Sequence, residues 1–328
     1  MTPHVTQTQE TSQALCLLDD DHRHALDQAV RNVLNTEVAE RAYAQILDGL
    51  PTKQSLTDSY PYVKDHPSYT ANHVDICPGY VEKAQLVVVA CHQIGAYLFE
   101  LDDGAHKNEE YQNWRSKVLG EKRNGVESRR FYTPSPIAFC HRAYRSYQQY
   151  PRGFADVAGY WAESKIFGGV VVFDRGESEQ ECKSMWIHGD LSRGPKTLYP
   201  PTQEQFDALV SFLTCPPREN STYPFPIHGS RMNRPRWHSY HAFAYHHIFR
   251  DRYERKLAAN PPRPGCVESA VDWPEFEDQR ILMLATILDP EGRPYNSEEE
   301  VAAASERIRN ITPSSPLWSS FGSSNTYQ

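Results

Sequence analysis

Four carboxylates fall within seven positions in one segment of the chain: Asp272, Glu275, Glu277 and Asp278. Acids this close can bind a cation, clasp a guanidinium through paired hydrogen bonds, or move protons. The same residues also read as a helix start, with Asp272 as N-cap, Pro274 in the first turn and acids at the positive end of the helix dipole. A second set is Tyr160 and Glu163, just before Gly168 and Gly169. A tyrosine and an acid beside glycines that admit a ligand to the backbone could line a pocket, although a tight turn is the simpler reading of the glycines. No third glycine or lysine completes a phosphate-binding fingerprint there.

A third set is cationic. Between Arg218 and Arg263 nine basic residues stand against three acidic ones, and Arg250, Arg252 and Arg255 alternate with Phe249 and Tyr253. Arginines meet phosphates and rings stack on bases, so these residues form a candidate polyanion surface, the alternative being solvated helix charge. His238, His241 and His246 lie in the same stretch. Their spacing alone supplies neither a full metal ligand set nor its supporting partners, so no metal and no cofactor are expected. Asp102 and Asp103 resemble half of a magnesium–diphosphate motif, but without a partner motif they read as a turn.

These residues need elements to hold them. Apolar positions from Leu26 to Leu50 predict an amphipathic helix over 22–50, followed by an irregular connection over 51–78. The run from Ala84 to Cys91 fits a buried strand or a buried helix extending to Leu101, and periodicity leaves the two open. Residues 137–167 read as helical in two pieces broken at Pro151 and Gly153. Val170–Phe173 is the clearest strand, with further strands expected within Ser184–Asp190 and Lys196–Tyr199. A helix after Thr202 would bury Phe206, Leu209, Val210 and Leu213, and a long helix is predicted over 237–257. Another is expected from about Trp273 to Asp289, and Ser297 with Glu300 has the spacing of a capping box for the last one. The expected fold is mixed α/β, helix-rich with a small central sheet.

Composition bounds the setting. The 328 residues suffice for one globular domain over 21–311, with a disordered start over 1–20 and a mobile tail over 312–328. No apolar run has membrane-spanning length and the polar start lacks a signal-peptide pattern, so a cytoplasmic protein with no membrane partner is expected. The seven cysteines are scattered and show no CxxC pair, as reduced thiols would. A net charge of −8 argues against a surface basic throughout.

The segments Phe167–Ser178, Trp186–Asp190 and Val271–Leu282, taken together, resemble the fungal arginine-containing cyclodipeptide synthases of secondary metabolism. The motif of that family is Asp-Asp-x-x-Glu; here Val271 stands in place of its first aspartate, followed by Asp272 and Glu275. The resemblance implies a class I synthetase-like Rossmann fold, an aminoacyl-tRNA partner, a small cyclic dipeptide product containing arginine, and no cofactor. It makes Asp272 and Glu275 catalytic, with Tyr160 and Glu163 chemically analogous to the tyrosine and acid that position and deprotonate the amine. Glu277 and Asp278 would then hold a substrate arginine, and Arg250, Arg252 and Arg255 the tRNA phosphates. A terpenoid or polyketide cyclase and a nonenzymatic accessory protein are the alternatives.

Overall fold

The computed structural model describes residues 19–60, 63, 65–69, 87–101, 109–123, 134–179, 181–190, 194–215, 223–255 and 269–318. The chain divides into two compact units, the first made of residues 1–171, 190–192 and 203–227 and the second of 172–189, 193–202 and 228–328. The fold is helix-rich with a small antiparallel sheet.

In the first unit, the helix expected over 22–50 is two helices, α1 (Asp20–Leu34) and α2 (Glu37–Leu47). Thr36 separates them: its hydroxyl accepts from Ala39 N, which starts a new helix. Helix α3 (Lys53–Ser59) lies within the stretch expected to be irregular, and Thr52 caps it. The open choice at residues 84–101 resolves to a helix, α4 (Val87–Leu101). Helix α5 spans Glu109–Arg123. Of the two helical pieces expected over 137–167 only the second is an α-helix, α6 (Phe154–Phe167); the first is irregular apart from a 3₁₀ turn at Tyr147–Gln149.

Helix α6 is buried on nearly every side, which makes it the axis of this unit, and α4 packs along it. Small residues let the two approach: a Cβ on Gly95 would come within 2.9 Å of Ala162, and one on Gly159 within 2.6 Å of the His92 carbonyl oxygen. Gly168, at φ +90°, ends α6 in the left-handed conformation that glycine adopts without strain. Helix α7 (Gln203–Thr214) corrects the expectation of a four-residue buried face. Leu209 is buried, but Phe206 and Val210 are each 40% exposed. The helix is held through its C-terminal end, where Asn32 Nδ2 donates to the carbonyls of Phe212 and Cys215.

In the second unit, strands β1 (Val170–Asp174, entering from the first unit), β2 (Met185–His188) and β3 (Leu198–Tyr199) stand where expected. The order is β3-β2-β1-β4, with β2–β3 and β1–β4 antiparallel. Strand β4 (Ile248–Phe249) overturns the long helix predicted over 237–257. Helix α8 covers only Ser239–Tyr245, His247 turns the chain at φ 54°, and Ile248 and Phe249 are buried as they pair with Asp174 and Phe173. β-Branched and aromatic residues gain more from a buried sheet edge than from extending a short helix. A 3₁₀ turn follows at Arg252–Arg255.

Helix α9 (Glu275–Leu284) packs on α10 (Glu298–Arg309), whose capping box is formed by Ser297 and Glu300 as the spacing predicts. Ser315 and Leu317, expected in a mobile tail, are buried, and Leu317 packs with Ile308, Ile311, Phe276 and Leu282. Residues 1–18 and 319–328, and the Asp102–Asp103 pair, lie outside the described residues. No helix among those described is long and apolar enough to cross a membrane.

Candidate functional site

The acidic segment enters α9 through a turn. Asp272 is not the N-cap; that place belongs to Pro274, which has no side chain able to cap. Asp272 instead joins two stretches of the second unit. Its Oδ1 accepts from Lys196 N at 2.6 Å, its Oδ2 from Ser269 Oγ at 3.0 Å, and its carbonyl from Thr197 Oγ1 at 2.9 Å. Both carboxylate oxygens are therefore engaged, and the residue positions the turn that carries Trp273 and Glu275.

Three other acids follow, each in a different situation. Asp278 is fully buried and takes three guanidinium groups: Arg234 at 2.8 Å, Arg307 at 2.9 Å and Arg231 at 3.1 Å. Burial by itself would raise its pKa, but the hydrogen bonds from Arg307 and Arg234 outweigh it and hold the carboxyl below the ordinary aspartate range. The guanidinium clasp expected for a substrate is thus made with the protein's own arginines. Glu277 is bonded one turn along to Arg280, which lowers its pKa. Glu275 is the exception: it is 4% exposed, and its Oε2 is shielded from solvent without a hydrogen-bond partner among the described residues.

Two residues before it, the indole Nε1–H of Trp273 is also buried without a partner among the described residues. A bare acceptor and a bare donor therefore lie two residues apart. Buried polar groups of this kind are rare, and each costs about 1–3 kcal/mol unless something satisfies it. Near them lies Arg236, itself buried, with Nε bonded to Asn233 O at 2.7 Å, one terminal nitrogen to Ser230 O at 2.6 Å, and the guanidinium 5.1 Å from the Tyr199 ring. Burial brings its pKa down to about 10, opposed by the neighbouring Tyr199, Glu275 and Asp272. Tyr199 is pushed upward by burial. His238 caps α8 by accepting from Tyr240 N; burial and the nearby His241 lower its pKa.

The cationic set changes character. Arg250 is buried, and its side chain faces Asp251 at 3.3 Å and Glu254 at 3.9 Å, so it braces the turn after β4. The side chains of Arg252 and Arg255 lie outside those described. His246 lies against Trp237, with ring centroids 3.7 Å apart. No group of three His, Cys, Asp or Glu side chains among the described residues is placed to hold a metal ion.

Tyr160 and Glu163 belong to the first unit, and neither is exposed. Glu163 Oε1 accepts from Val171 N at 2.6 Å, and its Oε2 lies 3.6 Å from His92 Nδ1. The other ring nitrogen of His92 meets Asp156 Oδ1 at 3.1 Å. Tyr160 stacks on Tyr144 and meets the His92 ring edge-on, 4.5 Å between centroids. Sequence reasoning missed His92 and Asp156. Asp156 and Glu163, seven residues apart on one helix face with Gly159 between them, were the available signal: two acids flanking a gap into which an imidazole fits.

It also missed a second network in the same unit. The Ser59 hydroxyl donates to Asp190 Oδ2 at 3.0 Å and lies 3.0 Å from Lys165 Nζ. Arg142 closes the network with its backbone N–H and Nε on Asp190 Oδ1.

No protein-family model, curated protein or solved structure matches this chain. The functional reading therefore rests on its own residues.

Proposed function

We propose that this chain is a tRNA-dependent synthase that joins arginine and a second amino acid into a cyclic dipeptide, and that Glu275 is the side chain that meets the substrate. One observation carries the reading: in the segment that resembles the family motif, Glu275 is the acid left buried with an oxygen unpartnered. An amine or guanidinium would supply the missing donor and relieve that cost.

The chemistry that follows is acyl transfer. The α-amine of one aminoacyl group attacks the ester carbonyl of the other, the carboxylate of Glu275 takes the proton lost by the amine, and the bond to the tRNA 3′ oxygen breaks as Glu275 returns that proton to it, releasing the 3′-hydroxyl. A second attack of the same kind closes the ring. The Trp273 indole N–H is a donor suited to the carbonyl oxygen on which charge develops. Asp272 acts as a positioning residue through Lys196 and Ser269.

Tyr160 and Glu163 are not assigned to the reaction, because Glu163 already engages Val171 and His92. The class I synthetase-like Rossmann arrangement belongs to the family resemblance, and the antiparallel strand pairs give it no support. Arg252 and Arg255 remain candidates for phosphate contact.

The test is incubation of the purified chain with arginyl-tRNA and a complete set of other aminoacyl-tRNAs, followed by mass spectrometry. An arginine-containing diketopiperazine, abolished when the tRNA is digested beforehand, is expected. Absence of any such product with intact charged tRNAs contradicts the proposal.

A further inference from the structure

A separate set of unpartnered groups lies in the first unit, where the 3₁₀ turn Pro67–Tyr69 packs against α5. His66 and Ser68 are buried there, and Ser68 N donates to His66 Nδ1 at 3.2 Å. Burial lowers the His66 pKa to about 4, so the ring is neutral at pH 7 and brings no charge. It meets Trp114 edge-on at 4.7 Å between centroids and Tyr111 at 5.4 Å. The Tyr111 hydroxyl is fully engaged, donating toward the carbonyls of Ser135 and Ile137.

What remains around this aromatic cluster is of one kind. Ser68 Oγ, Trp114 Nε1 and Arg115 Nε are all shielded from solvent and have no hydrogen-bond partner among the described residues. The indole and guanidinium nitrogens can only donate, and a serine hydroxyl can do so too. Arg115 makes no ion pair among the described residues, and Lys53 Nζ stands 5.4 Å from the Tyr69 ring centroid on the same turn. Two unanswered nitrogen donors, one of them on a cation, and a hydroxyl able to donate define the complement: a group that accepts and carries negative charge.

We infer that Arg115, Trp114 and Ser68 form a binding site for an oxyanion, a carboxylate or phosphate group of a small ligand. Arg115 supplies charge and an N–H, the indole a second donor and Ser68 a third, beside the rings of His66 and Tyr111. The site lies in the first unit and is independent of the role given to Glu275 in the second.

Calorimetric titration of the full chain with inorganic phosphate, and separately with acetate at matched ionic strength, tests it. Saturable binding of one anion per chain is expected; phosphate without acetate identifies a phosphate site, and binding of both identifies a carboxylate-tolerant one. Arg115→Met keeps the aliphatic stem and Trp114→Phe keeps the ring against His66, and each should weaken binding about tenfold or more. The Phe variant keeps the test decisive if the Met variant does not fold. No saturable binding of either anion, or wild-type affinity in Trp114→Phe, overturns the inference.

Discussion

The two units both close off buried charged side chains, but the buried carboxylate oxygen left unanswered among the described residues lies in the second. In the first, His92 sits between Asp156 and Glu163, and Ser59, Lys165, Arg142 and Asp190 bond to one another. In the second, Asp278 is likewise closed off by three arginines, yet Glu275, three residues away on the same helix, keeps an oxygen with no partner. Burial and proximity to other charges are shared by all of these groups, so neither marks a functional residue. The unanswered hydrogen bond separates Glu275 from the rest.

The comparison is sharpened most by breaking a closed cluster. Asp278→Ala removes the shared partner of three partly exposed guanidiniums and should lower the unfolding free energy by about 3 kcal/mol in a urea titration. A loss under about 1 kcal/mol would show that the cluster does not behave as a buried ion network.

Glu163→Ala should follow, with a loss of about 1–3 kcal/mol, because it leaves the Val171 N–H and one side of His92 without an acceptor. Glu163→Gln keeps an acceptor for Val171 and should recover part of it.

Acid denaturation probes the first unit in two windows. The His66 pKa falls from its ordinary 6.5 to about 4 on folding, so the unfolded chain binds the extra proton between those values. Stability from this group is complete above about pH 6.5 and falls as the pH drops toward 4; His66→Phe should reduce that slope by up to about 1.4 kcal/mol per pH unit. Asp156 titrates in the other sense of charge. The hydrogen bond from His92 overcomes the effect of burial and lowers its pKa below 3.8, so its contribution is present above that pH and is lost only on further acidification. Asp156→Asn should therefore change the acid limb below pH 4 and leave the upper window alone.

The smallest stability effect is expected at the open site. Trp273→Phe removes an indole N–H that has no partner, so the melting temperature should hold or rise slightly, while formation of product slows. A loss of stability matching that of Glu163→Ala would show that the indole N–H is satisfied in the folded protein after all.

Much of the sheet was legible because Val170–Phe173, between glycines, has few other ways to be buried. The last helix was legible too, since its capping box is a local hydrogen-bond pattern. Residues 248–249 were not: Ile248 and Phe249 match a helical stripe as well as a strand, and the choice depends on β1, which is distant in sequence. The acidic segment could be found by spacing, but not sorted. Which acid is closed depends on Arg231, Arg234 and Arg307 for Asp278 and on Lys196 for Asp272, and none of these is adjacent in sequence. The His92 site was hidden for the same reason, as its acids lie on α6 and its imidazole on α4.

We propose that Glu275 is left unpartnered for a substrate. Glu275→Gln tests it most directly, with diketopiperazine formation from arginyl-tRNA measured beside the melting temperature of the same preparation. The substitution is nearly isosteric and removes only the charge and proton-accepting power. Product formation should fall about a hundredfold or more, with the melting temperature unchanged or raised. Wild-type turnover in Glu275→Gln would contradict the account and return the acidic segment to a purely structural role.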